Sequence, residues 1–347
     1  MTMNQSNLKR SFVFWLKRIL AGFLVLIVLS VVTIFAGGAI VRAQVKANYA
    51  PPGQLLHVGG YKLHIHCVGE GSPTVVLLSG SGAFSPYWWL VQNKAAKTTR
   101  VCVYDRAGYA WSEEGTDDLS PRGQVQDLKT LLSNAGIEPP YVLAGHSYGG
   151  YIARLYAQTY SDEVTGLVMI DSTHEEQFVR FPEPIQAMGK RMYTGPNSPV
   201  KVFLAGLLGS LQAILPTGGH EAEQYLPSDV VETVYAVRKL HPYLLLTIKA
   251  EVSEMVLGRS PRVADLGNVP MIVISHGIPT PLMNQSKEAN VQYEQLHQEM
   301  QKELLALSTQ SRQVIAENSN HDEIPLKQGD LVVQAIQDVL TQAMAVR

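Results

Sequence analysis

Charged and aromatic residues are scarce in this 347-residue sequence, and their scarcity argues against one class of function. Aspartate, glutamate, lysine and arginine make up 17% of the residues and leave a formal net charge of −2. The chain therefore has no basic field to attract nucleic acid. Aromatic residues, 8% of the total, are scattered and do not alternate with basic side chains. We expect no nucleic-acid partner.

Cysteine is scarce as well: the sequence contains two, Cys67 and Cys102, and no C-x-x-C motif. The absence of that motif argues against a cysteine zinc site and against a thioredoxin-type redox centre. We expect neither a metal nor an organic cofactor. Two buried free thiols are the simplest expectation for the pair. A single disulfide is the alternative if the domain lies outside the cytosol.

One long stretch, residues 19–41, carries no charge at all (ILAGFLVLIVLSVVTIFAGGAIV). It is long enough to cross a bilayer as a helix. Four basic residues lie between positions 9 and 18, whereas only Arg42 and Lys46 follow closely. The positive-inside rule then predicts a single-pass anchor with the remaining chain facing the periplasm or the cell exterior. A cleaved secretion signal is the alternative, although its apolar region is normally about 7–15 residues. Residues 43–53 are expected to form a short linker.

The remaining sequence alternates between strand and helix patterns. Residues 54–58 and 61–68 are typical of a β-hairpin. Six apolar runs are typical of strands buried on both faces; they cover 74–80, 100–105, 141–146, 166–171, 270–275 and 312–318. Helical patterns cover 120–135, 149–160, 288–307 and 328–345. The alternation predicts an α/β fold with a mostly parallel eight-stranded sheet and helices on both faces.

One interval, residues 172–262, lacks a clear strand and holds helical runs at 202–215, 227–240 and 244–257. An all-helical insertion of this kind is typical of a cap over a site. A helical subdomain that only adds stability is the alternative. The predicted organisation is a cytoplasmic stub with a transmembrane anchor (1–43), a first part of the core (44–171), a helical cap (172–262) and a second part of the core (263–347).

The sequence GHSYGG, residues 145–150, stands between a predicted strand and a predicted helix. In that context its G-x-S-x-G pattern is typical of a nucleophile held on a strand-to-helix turn. The first amides of the following helix also favour negative charge nearby. Ser147 is therefore the candidate nucleophile, and a glycine-rich structural turn is the alternative.

A serine hydroxyl needs a base, and histidine is the usual one. His321 lies in the loop ENSNHDEIP after the last predicted strand, at the same sheet edge as Ser147, and is the candidate base. The side chain of His146 should point away from Ser147, so we expect it to support the site. A surface loop histidine is the alternative reading of His321.

An oxyanion hole needs two N–H donors. We expect one from the backbone of Tyr148 and the other from Ser81, in the SGSG loop that follows the strand at 74–80. Gly82 is the alternative donor in that loop, and a plain glycine turn is the alternative role.

These features together resemble the α/β-hydrolase fold superfamily over nearly all of residues 54–347. GHSYGG resembles the nucleophile elbow of its members, SNH at 319–321 resembles their catalytic-histidine loop, and VYDRAGYAWS at 103–112 is similar to their D-R-x-G-x-x-x-S segment. The resemblance implies a Ser–His–acid enzyme of the esterase, lipase or peptidase kind, with Asp105 and Arg106 as structural residues. A serine at the elbow disfavours haloalkane dehalogenase and epoxide hydrolase chemistry, which uses a carboxylate nucleophile.

The sequence departs from the family pattern in two places. Many members begin the oxyanion loop with His-Gly, whereas this chain has Ser79-Gly80. Members usually carry the acid after the penultimate strand, but here that loop, 275–288, holds His276 and no acid before its last residue, Glu288. Some members place the acid one strand earlier, where this chain has Asp171. Asp171 is therefore the candidate acid that orients the histidine, with Glu175 and Glu288 as alternatives.

The resulting hypothesis is acyl transfer to water, with an ester as the first expected substrate and an amide as the second. The apolar run at 200–215, together with Trp88 and Trp89, favours a small to medium apolar substrate, with ordinary core packing as the alternative. A cofactor-free perhydrolase would use the same three residues. A non-catalytic, membrane-tethered binding protein on a hydrolase scaffold is the alternative from a different class.

Overall fold

The structure is a computed structural model, and it describes residues 5–115, 118–216, 219, 221–280, 282 and 285–345. Within these residues eight strands form one sheet in the order β1-β2-β4-β3-β5-β6-β7-β8. The strands are β1 (Gln54–His57), β2 (Lys62–Val68), β3 (Thr74–Leu78), β4 (Val101–Tyr104), β5 (Tyr141–His146), β6 (Val164–Ile170), β7 (Met271–His276) and β8 (Ser311–Ala316).

The sheet is mixed but mostly parallel. All pairings from β4 through β8 are parallel, whereas β1 pairs antiparallel with β2 and β2 pairs antiparallel with β4. The continuous apolar runs are the reason: β3, β5 and β7 are buried along their whole length, as parallel strands covered on both faces must be. The predicted α/β fold with an eight-stranded sheet is confirmed.

Helices cover both faces of this sheet. Alternate residues of β3 point to opposite faces, so Val76 and Leu78 pack with α3 and α4 while Val75 and Leu77 pack with α2 and α12. The helices are α1 (Gln5–Asn48), α2 (Trp89–Ala95), α3 (Pro121–Asn134), α4 (Tyr148–Thr159), α5 (Gln177–Arg180), α6 (Glu183–Tyr193), α7 (Pro199–Ile214), α8 (Ser228–Val237), α9 (Leu244–Val256), α10 (Lys287–Leu304), α11 (Ile324–Lys327) and α12 (Gly329–Ala345).

The residues at 172–262, called the inserted segment below, join β6 to β7. Their described part contains α5 to α9, some single 3-10 turns and no strand. Helices α7, α8 and α9 correspond to the three predicted runs. Helices α5 and α6 were not predicted, because Pro182, Pro184 and Gly189 interrupt the helical pattern there.

Helix α1 is 44 residues long and continues to Asn48, so the linker expected at 43–53 is wrong for its first half. The helix meets no breaker before Pro51, and Val41, Val45 and Tyr49 follow one another at a spacing of four along one side. These three side chains pack into a cluster with residues of the inserted segment such as Leu240. The apolar helix therefore ends inside the folded part of the molecule.

The expectation of two free thiols is also wrong. Cys67 on β2 lies directly opposite Cys102 on β4, and the two residues form a disulfide. The pairing follows from the sheet order, since β2 pairs with β4 although β3 lies between them in sequence.

Candidate active site

The strand-to-helix turn at Ser147 has the strained geometry expected of a nucleophile elbow. Ser147 lies between the end of β5 and the start of α4, and its φ of 51° is in the left-handed region that non-glycine residues seldom occupy. Glycine is required on both sides: a Cβ on Gly145 would lie 2.4 Å from the Gly149 carbonyl oxygen, and one on Gly149 would lie 2.2 Å from the Leu78 carbonyl oxygen. The turn leaves Ser147 partly exposed at the carboxyl edge of the sheet.

Three residues that are distant in sequence form one hydrogen-bonded chain at this edge. His321 Nε2 lies 3.0 Å from Ser147 Oγ, and His321 Nδ1 lies 2.5 Å from Asp171 Oδ2. A carboxylate only accepts hydrogen bonds, so Nδ1 is the protonated nitrogen and Nε2 is free to accept the serine proton. The structure thus brings together all three predicted residues in the order that a Ser–His–Asp triad requires.

Asp171 is positioned by its place directly after β6 and by four hydrogen bonds. Its φ is 44°, and its backbone amide donates to Ile274 on β7. Oδ1 accepts from the His276 amide and from His297 Nε2, each at 3.1 Å. Oδ2 accepts from His276 Nδ1 at 2.7 Å in addition to His321. All four acceptor positions of this fully buried carboxylate are therefore filled.

The surrounding histidines keep Asp171 ionised. Burial raises the pKa of this carboxyl, but the charge of His297 and the hydrogen bonds from the three histidines lower it further, to well below the ordinary 3.8. Burial likewise lowers the pKa of His276, yet hydrogen bonds to Asp171 and Glu294 raise it to about 10. A cationic His276 thus compensates the buried negative charge, which would be costly without a partner.

His321 has a raised pKa as well. Burial lowers the pKa of the ring, whereas the hydrogen bond and the negative charge of Asp171 raise it, and the net value lies above the ordinary 6.5. The charge of His276 opposes this increase. The backbone amide of His321 donates to Thr280 Oγ1 at 3.3 Å, which holds the loop against the segment after β7.

The two alternative acids lie elsewhere. Glu175 accepts from Arg154 at 3.0 Å and from the Val263 amide at 3.1 Å, inside the base of the inserted segment. Glu288 is exposed in the first turn of α10. Neither forms a hydrogen bond to His321 in the described structure.

His146, as expected, does not face the serine hydroxyl. Its Nε2 lies 2.9 Å from the His321 carbonyl oxygen, and the two imidazole rings are 4.8 Å apart. Burial, followed by the nearby charge of His321, lowers the pKa of His146 to about 4, so the ring is neutral. A neutral His146 can donate through Nε2 and thereby fix the loop that carries His321.

The loop after β3 lies directly against the serine. A Cβ on Gly80 would be 3.0 Å from Ser147 Cβ, so the loop backbone is close enough to reach an oxyanion at this position. The Gly82 amide already donates to Tyr109 Oη at 3.4 Å and the Ala83 amide to the Gly80 carbonyl at 3.2 Å. These contacts favour Ser81 over Gly82 as the loop donor. The Tyr148 amide is in the first turn of α4, where helix amides lack internal acceptors.

Arg106 supports this loop, whose first residue is Ser79 in place of the histidine expected from the family pattern. Its guanidinium donates to the carbonyl oxygens of Ser79 and Gly80 and to Glu251 on α9, the last two at 2.9 and 2.8 Å. Trp88 Nε1 donates to Ser79 Oγ at 2.9 Å. The altered first residue of the loop is therefore compensated by contacts from Arg106 and Trp88, which agrees with a structural role for Arg106.

A cavity of about 460 Å³ adjoins the site. It borders the loop from Ser79 to Ala83 and His146, and its other described walls are Tyr87, Trp88, Gly219, Ala222, Arg238, Leu244, Asp322, Pro325 and Leu326. The volume is in the range of small-molecule pockets. Arg238 is paired with Glu223 and with Tyr87 Oη, so its charge is compensated within the wall.

Two expectations about this pocket need correction. Trp88 lines it, but Trp89 is 40% exposed on the surface and is not part of the lining. The apolar run at 200–215 forms α7, which contributes no described residue to the lining and packs against α1 instead. The run is apolar for a reason other than the pocket.

Asp171, His276 and His297 have ligand atoms within 4.8 Å of one another, a spacing that a metal ion could bridge. However, the histidine nitrogens that face Asp171 are 2.7 and 3.1 Å from its oxygens, as hydrogen-bond donors are. We therefore interpret the three residues as a hydrogen-bonded network.

Comparisons with known proteins agree with the observed fold. A family model described as the alpha/beta hydrolase fold matches residues 73–202, which include β3 to β6 and the elbow. The chain therefore has the α/β-hydrolase fold. It is 25% identical to the uncharacterized protein YqjL of Bacillus subtilis over 79% of this chain and 86% of that protein. It is 32% identical to the uncharacterized protein YbdG of the same organism, but over only 37% of this chain and 40% of YbdG.

Solved structures place the same fold over most of the chain. A thermophilic esterase from Thermogutta terrifontis superposes with a TM-score of 0.57 at 20% sequence identity, covering 83% of this chain and 97% of the esterase. At that identity the likeness concerns the fold alone.

Sequence reasoning missed two of the residues that surround Asp171. The missed residues are His297 and Glu294 of α10, whereas His276, already noted in the sequence, is the last residue of β7. Glu294 lies 3.0 Å from His276 Nε2. A signal was present: His297 lies on the buried side of α10 with Ala289, Met300 and Leu304, where an apolar residue would be expected.

Proposed function

We propose that this protein is a serine hydrolase that cleaves an ester, or secondarily an amide, through an acyl-enzyme on Ser147. The observation that carries the proposal is the chain from Ser147 Oγ through His321 to Asp171, with separations of 3.0 and 2.5 Å. The strained elbow and the adjacent loop amides support it, because both are features that acyl transfer needs.

In the first half of the reaction His321 Nε2 takes the proton of Ser147, and Oγ attacks the substrate carbonyl carbon. The carbonyl oxygen becomes an oxyanion that accepts from the amides of Ser81 and Tyr148. The C–O or C–N bond then breaks as His321 returns the proton to the leaving alcohol or amine. Asp171 holds the ring orientation and stabilises the imidazolium.

In the second half a water molecule replaces the leaving group. His321 removes a proton from the water, which attacks the acyl carbon of the ester on Ser147. The tetrahedral intermediate uses the same two amides, and its collapse releases the carboxylic acid and restores the Ser147 hydroxyl. The residues named here carry out each step of this mechanism without a metal ion or an organic cofactor.

The cavity favours a small to medium apolar substrate. Trp88, Leu244, Pro325 and Leu326 supply an apolar lining, and Arg238 is already paired. Such a wall desolvates an acyl or alkyl group without requiring a charged partner from the substrate.

We further propose that α1 anchors the hydrolase in a membrane, with the folded domain outside the cytosol. Among the described residues α1 is the one helix long and apolar enough to span a bilayer. The basic residues that precede it and the Cys67–Cys102 disulfide both favour this orientation. An uncleaved anchor is favoured over a secretion signal because α1 runs unbroken into the packed cluster around Val45.

The test is labelling with a fluorophosphonate probe, which reacts only with an activated serine. The purified full chain in detergent should be labelled, and Ser147→Ala should abolish labelling. Ser81→Ala is the matched control: it should still be labelled because it keeps the backbone N–H assigned to the oxyanion. Absence of labelling in the folded wild type would favour a non-catalytic binding scaffold.

A further inference from the structure

Helix α7 of the inserted segment has an exposed apolar side that no residue of the described structure covers. Its sequence, PVKVFLAGLLGSLQAI, contains one charged residue, Lys201. Val200, Leu204 and Leu208 within it, and Leu215 directly after it, are between 47% and 66% exposed. The first three follow one another at helical spacing, and the four side chains together are called the α7 face below.

The opposite side of α7 is packed tightly against α1. A Cβ on Gly38 would lie 2.7 Å from Ser210 Cβ and 2.9 Å from Ser210 Cα, so the two helix backbones are in close approach. Gly37 meets Ile214 in the same way, at 2.9 Å from its Cδ1. Small residues at such a crossing are typical of helices that associate within a bilayer.

The position of this contact along α1 indicates what covers the α7 face. The Phe35 and Phe203 rings are 5.9 Å apart, and Gly37 and Gly38 contact the second half of α7. All three α1 positions lie inside the uncharged run at 19–41, before Arg42. With a rise of about 1.5 Å per residue, Phe35 lies about 10 Å along the axis from Arg42. That distance matches the depth at which interfacial helices lie, about 5–10 Å.

We propose that the α7 face lies in the lipid bilayer beside α1, so that the pocket takes its ester from the membrane. The proposal rests on the anchor and the hydrolase activity proposed above. If residues around 35–38 of α1 are in lipid, the helix packed on them lies at the same depth, and its exposed apolar side contacts acyl chains. In water the same side would be an uncovered apolar patch, which soluble surfaces avoid.

The pocket wall is continuous with this helix. A short helical turn at Arg238–Leu240 contacts both α1 and α7, and Arg238 and Leu244 line the cavity. The substrate class that fits is an ester carrying an alkyl or acyl chain that partitions into the bilayer. If α7 lies in lipid, only the side chains of the pocket wall would separate such a chain from the cavity.

The surface is tested by a nitroxide spin label on the full chain in phospholipid vesicles. The two native cysteines are paired, so Leu208→Cys introduces a single free thiol. Val291→Cys does the same at a 49% exposed position on α10, a helix that packs on β7 and α5 among other elements. The label at 208 should collide mainly with oxygen, which concentrates in lipid, and the label at 291 mainly with a water-soluble nickel chelate. Nickel-accessible labels at both positions, or spin–spin broadening at 208 from a second copy of the chain, would overturn the proposal.

The substrate class is tested with two esters in the same vesicles, p-nitrophenyl palmitate in the lipid and p-nitrophenyl acetate in the water. A variant with Leu204→Glu and Leu208→Glu should lose at least about tenfold of its palmitate turnover and keep its acetate turnover, while Val291→Glu keeps both. If the double variant keeps the palmitate turnover of the wild type, membrane delivery of the substrate is refuted. If the wild type cleaves neither ester, the proposed activity fails, while the spin labels still decide where α7 lies.

Discussion

At the scale of single residues, the site is built around a carboxylate held by three histidines. Asp171 orients His321, and His276 and His297 hold Asp171. Asp171 directly follows β6, and His276 is the last residue of β7. His276 places a compensating positive charge beside the acid, because it is held cationic by Asp171 and Glu294.

The first prediction concerns the acid itself. We expect Asp171→Asn to fold, because an amide of the same shape fills the space, but to lower kcat by about 10³- to 10⁴-fold. An asparagine oxygen can still accept from a histidine, but it lacks the charge that stabilises the imidazolium. Steady-state kinetics with p-nitrophenyl acetate measures the effect.

The matched control is Glu288→Gln, the same change of charge at an exposed acid in the first turn of α10. It should keep kcat within about twofold. Near-normal turnover in Asp171→Asn, or a large loss in Glu288→Gln, would show that the acid has been assigned to the wrong residue.

The second prediction concerns the pH profile. Only neutral His321 accepts the Ser147 proton, so kcat/KM rises with pH through the pKa of His321, which lies above its ordinary 6.5. The positive charge of His276 lowers that pKa. Removing this charge with His276→Gln should therefore move the acid limb of kcat/KM to a higher pH.

His241→Gln is the control for this profile. His241 is paired with Glu114 at 2.9 Å in a different part of the molecule, so its loss should leave the limb in place. A limb that stays where it is, or moves to lower pH, in His276→Gln would contradict the assignment of a cationic His276 beside the triad.

At the scale of elements, strands and helices with a distinct local sequence pattern could be predicted. Contacts between elements that are distant in sequence could not. The strands at the sheet centre could be located within a few residues because burial on both faces makes them continuous apolar runs. The elbow and the His321 loop could be assigned because each sits at a strand end of known direction. Asp171 was inferred from its place at the end of a predicted strand, because some members of the family it resembles carry the acid one strand earlier.

Other features depend on which elements meet in space, and local sequence patterns do not specify those contacts. The disulfide needs β2 beside β4, an order that a hairpin pattern does not reveal. The contribution of His297 needs α10 to dock over the end of β7. The apolar run at 200–215 was interpreted as pocket lining, although α7 packs on α1, because a strongly apolar helix has the same pattern in either place.

The third prediction tests the packing of α1 on α7. Gly38→Val would place new atoms against Ser210, where even a Cβ is 2.7 Å from the neighbouring Cβ. Overpacking of this kind costs about 1–3 kcal/mol. We expect a lower melting temperature of the full chain in detergent and faster proteolysis within the inserted segment.

Gly22→Val is the matched control on the same helix, since no atom lies within 4 Å of a Cβ built at Gly22. Its melting temperature should equal that of the wild type. Equal melting temperatures for the two variants would indicate that α1 and α7 are not packed together in the protein.

At the scale of the whole molecule, the apolar helix, the inserted segment and the pocket form one continuous structure. Helix α1 ends in the cluster that contains Leu240 and Leu326, and Leu326 also lines the cavity. An anchor on a flexible tether would leave the domain free to rotate over the membrane. Here the α1 packing fixes the orientation of the pocket relative to α1, so under the proposed anchoring the side of the membrane that α1 selects is also the side on which the hydrolase acts.

The last prediction is therefore about that side. In a bacterial host, alkaline phosphatase fused after residue 347 should be active, because the enzyme matures only outside the cytosol, and green fluorescent protein fused at the same place should stay dark. The opposite pair of results would place the domain in the cytosol.

The disulfide gives an independent readout of the same location. In protein denatured without reductant, Cys67 and Cys102 should not react with a maleimide polymer, whereas Cys67→Ser should add one polymer at Cys102. Two additions to the unreduced wild type would contradict an oxidising location, since two cysteines placed opposite each other on paired strands become oxidised to a disulfide there.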